Sequence, residues 1–212
     1  MLRFLIGFLF LVTVSANCNA NSLAILNHCY SNFLSFYGFN FQGTLPAYWE
    51  MHEARGRVIR NQGITIQPKI CNVATSLYDC TSGTHFDYTC LMSMGVNASD
   101  AQDYFTDRAV GEYQCTTGYS TLMSQWACMG DVRDSGRPEL QACTDALNAA
   151  IAKGGNVCPA VNVYLTCQSP YYEAACGYNA GVFICGSNRA GVLSNNEVCQ
   201  WLGVLDECPP YK

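Results

Sequence analysis

Nothing constrains this chain more than its cysteines: Cys18, Cys29, Cys71, Cys80, Cys90, Cys115, Cys128, Cys143, Cys158, Cys167, Cys176, Cys185, Cys199 and Cys208. From Cys158 to Cys185 they fall on every ninth residue, and the same interval separates Cys71 from Cys80 and Cys199 from Cys208. On an α-helix nine residues turn through about 900°, half a turn more than two full ones, and climb about 13.5 Å. Two cysteines so placed face opposite sides of one helix. They cannot bond to each other, because bridged Cα atoms lie about 4.4–6.8 Å apart. Each helix of this kind is expected to be tied to one neighbour at its start and to another at its end. "ICNVATSLYDC", "VCPAVNVYLTC" and "VCQWLGVLDEC" repeat the device. Their irregular placement argues against a solenoid.

The first residues say where such sulfur chemistry belongs. "MLRFLIGFLFLVTVSA" carries Arg3, an apolar run from Phe4 to Val14, and small residues ending at Ala16. That run is too short to span a bilayer and has the layout of a secretory signal peptide. Residues 1–16 are therefore read as a signal peptide. Cleavage after Ala20 would remove Cys18 and leave an odd count, so cleavage after Ala16 is preferred; an unpaired thiol is a liability in an oxidising compartment. Residues 17–212 read as one cysteine-rich helical secreted domain, with a possible sub-division near 130–137. All fourteen cysteines are expected in disulfides, each worth about 2–4 kcal/mol. No C-x-x-C occurs and His28, His52 and His85 form no metal-type pair, so neither metal nor cofactor is expected. Only 13% of residues are charged and the net charge is −5, which argues against nucleic acid as a partner. No later stretch approaches the roughly 20 apolar residues of a membrane span.

Helix signals recur along the chain. Leu23, Leu26, Tyr30, Phe33, Leu34 and Tyr37 form one stripe at three- and four-residue steps, closed by Gly38. Pro46 is placed to open a second helix that Gly63 ends. "QPKICNVATSLYDC" again carries a proline at its start. Ser99 with Gln102, and Ser194 with Glu197, read as capping boxes, the second opening a helix through Val198, Trp201, Leu202 and Leu205. A helix from Pro138 reaches a double glycine, and Pro170 divides the stretch after Cys158 into two helices. Strand evidence is confined to a short extended piece around Ile64 and Ile66. The fold class expected is all-α: a disulfide-cross-linked stack of short helices with one minor extended segment.

Tyr164, Leu165 and Cys167, followed by the unit Cys176, Gly177 and Ala180, resemble the C-terminal part of nematode secreted cysteine-rich helical domains. "LMSQWACMG", followed by Cys143, is similar to the central part of the same group. The group includes a worm domain of unknown function and the chondroitin-proteoglycan core type. The likeness covers roughly residues 110–208. It implies a secreted helical domain with an extracellular, non-enzymatic role, and offers no catalytic residue to carry over.

No catalytic motif stands out. "MHEAR" at His52 and Glu53 lacks the second histidine of H-E-x-x-H, and "HFDYTC" at His85 lacks a calcium loop. Glu50 and Glu53 are candidate paired carboxylates for sugar hydrolysis, with solvated helix charges as the plainer account. Asn97 begins an N-glycosylation sequon, and Ser135, before Gly136, is a weak candidate for glycosaminoglycan addition or simply a turn. Aromatics in "FLSFYGFNF" read mainly as core. The function expected is that of a secreted structural or interaction protein binding an extracellular protein or glycan. The alternatives are a small hydrolase with His52, Glu50 and Glu53 converging between helices, or a carbohydrate-binding module with Tyr171, Tyr172 and Trp201 exposed.

Overall fold

The computed structural model describes residues 18–84, 87–135, 137–195, 199 and 203–212. The expected signal peptide, residues 1–16, and the positions of His85, Gly136, Glu197, Val198, Trp201 and Leu202 lie outside the described residues. Helices α1 (Ala20–Phe36), α2 (Tyr48–Gln62), α3 (Gln67–Ser82), α4 (Tyr88–Met92) and α5 (Ala98–Cys115) make up the first half. Helices α6 (Tyr119–Asp134), α7 (Pro138–Lys153), α8 (Cys158–Cys167), α9 (Ser169–Cys176) and α10 (Tyr178–Asn195) follow. No strand occurs among the described residues. The fold is all-α and cross-linked by disulfides.

Helix α1 forms where its stripe requires. Asn19 caps it by accepting from the Ser22 amide at 2.9 Å, and Leu26, Tyr30, Phe33, Leu34 and Tyr37 are buried. They join Leu45, Met51, Leu77, Leu91, Met94 and Tyr104 in a first core cluster spanning α1 to α5. Tyr104 meets Tyr30 and Tyr48 edge-on, with ring centroids 5.8 Å and 5.2 Å away. Phe36, Phe39 and Phe41 pack against the same cluster, so the "FLSFYGFNF" aromatics serve the core. A second cluster gathers Leu122, Met129 and Val132 of α6 with Tyr172 of α9 and Phe183 of α10. A third joins Val161 and Leu165 of α8 to Cys185 and Val192 of α10.

Six bridges fasten these layers: Cys29–Cys80 joins α1 to α3, Cys71–Cys115 joins α3 to α5, and Cys128–Cys176 joins α6 to α9. Cys143–Cys167 joins α7 to α8, Cys158–Cys199 ties the start of α8 to the segment after α10, and Cys185–Cys208 ties α10 to the C-terminal tail. Every nine-residue pair sends its two members to different partners, and the two pairs that share one helix, Cys71 with Cys80 and Cys158 with Cys167, do so as helix geometry demands. Cys71 and Cys80 go to α5 and α1; Cys158 and Cys167 go to the late segment and α7. Cys18 and Cys90 stand outside the six bridges.

Four local expectations are corrected. Ile64 and Ile66 belong to a 3-10 turn, Gly63–Ile66, not an extended piece. Gly63 has φ of +60°, a conformation open to glycine, which ends α2 and leads directly into α3. Pro46 lies ahead of α2, and its carbonyl accepts from the Tyr104 hydroxyl at 3.0 Å. Ser99 sits inside α5; the cap is Asn97, whose Oδ1 accepts from the Asp100 amide at 3.0 Å. Ser194 lies within α10 and donates to the Gly191 carbonyl at 2.7 Å, so it is not the cap of a helix that starts there.

Glycines let α10 approach α5. A Cβ at Gly186 would overlap the Tyr113 ring, and at Gly191 it would come 3.2 Å from a Val110 methyl. The Tyr113 hydroxyl is itself held at 2.6 Å by that of Tyr211 in the tail, so the ring has little freedom to retreat. Gly186→Ala is expected to cost about 2–3 kcal/mol through overpacking. Urea denaturation of the variant checks this, with Gly130→Ala, where a Cβ meets nothing within 4 Å, as the tolerated control.

Candidate ligand cleft

Between the first and second core clusters runs a cleft of about 620 Å³. Helix periodicity explains its walls. Tyr48, His52, Arg55 and Ile59 step along one face of α2 by fours and threes, and Gln67, Ile70, Ala74 and Leu77 do the same on α3. Asp107, Val110 and Gln114 come from α5, and Leu122, Trp126, Met129 and Arg133 from α6. The lining therefore mixes aromatic and aliphatic surface with planar polar groups.

At one end Arg55 grips Asp107 with two parallel contacts, Nη1 to Oδ1 at 2.8 Å and Nη2 to Oδ2 at 2.6 Å. The Tyr48 hydroxyl donates to Oδ1 at 3.1 Å, and the guanidinium lies 5.8 Å from the centre of the Tyr37 ring. The side chains are 21% and 14% exposed, so this pair is largely removed from water. Burial opposes the charge on Arg55, but Asp107 outweighs it and raises the guanidinium's pKa. Burial first, and Asp107 second, push the Tyr48 hydroxyl upward, so it stays protonated as a donor. Arg108 is lowered by burial; its Nε donates to the Thr81 hydroxyl, and its guanidinium stacks 4.5 Å from the Tyr78 ring centre.

Two lining residues carry buried polar atoms with no protein partner. Gln67 is buried, its amide nitrogen reaches Cys71 Sγ at 3.7 Å, and its Oε1 accepts from nothing in the protein. Arg55 Nε is in the same position. Such groups ordinarily find a partner in water or a ligand.

The residues singled out from sequence scatter. His52 lines the cleft, but Glu50 and Glu53 are exposed, and Glu53 pairs with Arg60 at 3.3 Å. They do not converge as a hydrolytic pair requires. Both oxygens of Asp107 are engaged by Arg55 and Tyr48. Tyr172 is buried, which removes it from any exposed stacking face, and Tyr171 is half-buried. Asn97 is exposed at the start of α5 with Nδ2 donating to Asp100 Oδ2 at 3.0 Å. Ser135 ends α6 and donates to the Val132 carbonyl at 2.6 Å. Among the described residues no group of three His, Cys, Asp or Glu side chains is arranged to hold a metal. Sequence reasoning missed Arg55, Asp107 and Tyr48. The one available signal was an arginine on the same helical face as Tyr48 and His52.

No family model, curated protein or solved structure matches this chain.

Proposed function

We propose that the chain is a secreted, disulfide-stapled interaction protein that binds a short glycan segment in the cleft between α2, α3, α5 and α6. The carrying observation is the cleft's mixed lining. A sugar has hydroxyls that pair with planar polar side chains and a C–H face that packs on aromatics, and Gln114, His52 and Arg108 line the same cleft as Trp126 and Tyr48. Its volume lies in the range of about 300–1,000 Å³ common to small-molecule sites. A lipid carrier would need a predominantly apolar lining. A protein partner has less to favour it: among the described residues the exposed large apolar side chains Trp49, Tyr88, Met92, Ile151, Val163 and Val204 are spread over four helices and the C-terminal segment. Six bridges suit an oxidising extracellular space, and no described helix is long and apolar enough to cross a membrane. The resemblance of residues 110–208 to secreted worm domains supports the same setting.

A glycan array probed with the exported protein tests the reading. Binding of one glycan class is expected, and His52→Ala and Gln114→Ala should each weaken it about three- to tenfold, the range of one lost hydrogen bond. Variants that bind as well as the parent, or an array with no signal, would overturn it.

A further inference from the structure

The two cysteines outside the six bridges are neighbours. Cys90, in α4, is wholly buried within the first core cluster. Cys18, one residue before the Asn19 cap of α1, is half-buried and packs against that same cluster. Cys18 lies close enough to Cys90 to help raise its thiol. The other twelve cysteines are all paired, each bridge with Cα atoms between 5.0 and 5.9 Å apart.

We infer that Cys18 and Cys90 are the partners of a seventh disulfide, closed in the exported protein, which anchors the first residues of the mature chain to α4. The bridge would close a loop of about 70 residues, a length at which restricting the unfolded chain has a large effect. It also requires that the mature chain keep Cys18.

The surroundings of the two sulfurs set the order of events. Burial pushes the Cys90 thiol up to about 12, with the Cys18 contact adding to the rise. Almost none of it is thiolate at neutral pH, and the thiolate is the attacking species. Cys18 is the accessible partner. A disulfide oxidant, such as glutathione disulfide or the active-site disulfide of an oxidoreductase, is attacked by the Cys18 thiolate; a mixed disulfide forms and one oxidant thiol leaves. Cys90, once deprotonated, attacks Cys18 Sγ and expels the second oxidant thiol. Both protein thiols are oxidised, the oxidant disulfide is reduced to two thiols, and their protons pass to water or the leaving thiolates. Closing therefore goes faster before α1 and α4 pack than after.

Non-reducing peptide mapping of the exported protein, alkylated in denaturant, tests the inference directly. The expected result is a linked peptide pair joining Cys18 to Cys90 and no alkylated cysteine. Two alkylated thiols at these positions, a mature N-terminus beyond Cys18, or either sulfur bonded elsewhere would overturn it. The double variant Cys18→Ser/Cys90→Ser should keep the six other bridges and melt roughly 10 °C lower; an unchanged melting temperature would also count against the bridge. None of these readouts depends on glycan binding.

Discussion

Complete reduction of the disulfides is expected to abolish the folded state at 37 °C. Each bridge contributes about 2–4 kcal/mol by restricting the unfolded chain, while a typical domain holds only about 5–15 kcal/mol in total. Packing alone offers little reserve in parts of this molecule. Helix α7 buries a single residue, Cys143, and α2 buries only Met51 and Ala54. Helix α9 has eight residues and α4 five, far below the roughly 12–15 an isolated helix needs in water. Far-UV circular dichroism during titration with a phosphine reductant should show loss of most helical signal. Cys143→Ser with Cys167→Ser should act locally, since α7 loses its bond to α8 and its one buried anchor; hydrogen exchange would show α7 amides unprotected while α1 and α5 remain slow. A reduced chain that keeps its native spectrum would mean that packing holds the fold.

Asp107→Ala should be the most damaging substitution outside the cysteines, costing about 3–5 kcal/mol. The carboxylate is the counter-charge for Arg55, whose guanidinium is 21% exposed and makes its two closest contacts to Asp107. Removing it strands a cation between Tyr37 and Tyr48 and leaves the Tyr48 hydroxyl without its acceptor. The melting temperature should fall by roughly 10 °C or more. Because the loss comes from the unpaired charge, Arg55→Met combined with Asp107→Leu should recover most of it. Guanidinium denaturation of the single and double variants measures the difference. Equal destabilisation by both would show that the ion pair is not the source of the cost.

Much of the architecture was legible from periodicity. The stripe from Leu23 to Tyr37 marked α1 because three- and four-residue steps leave one buried face, and the rotation between cysteines nine apart forbade pairing within one helix. Pro170 divided α8 from α9 because its ring cannot sit in a continuous helix interior. Helix ends were less legible, for a local reason: Asn97 and Ser99 are both good caps, and only the packing of Ala101 and Tyr104 into the core decides which turn comes first. Ser194 was ambiguous in the same way, since a serine hydroxyl serves the last turn of one helix as readily as the first of another. Of the cleft, only the α2 face that carries Tyr48, His52 and Arg55 left a trace in the sequence. Arg55 and Asp107 are 52 residues apart and carry no shared pattern; what joins them is the packing of α2 and α5, which no local rule supplies.

A disulfide map of the purified protein is the most direct test. Linked peptides joining Cys29 to Cys80, Cys71 to Cys115, Cys128 to Cys176, Cys143 to Cys167, Cys158 to Cys199 and Cys185 to Cys208 are the predicted result. A bond between two sulfurs nine residues apart, such as Cys71 with Cys80 or Cys158 with Cys167, would contradict it, because no helix joins its own opposite faces.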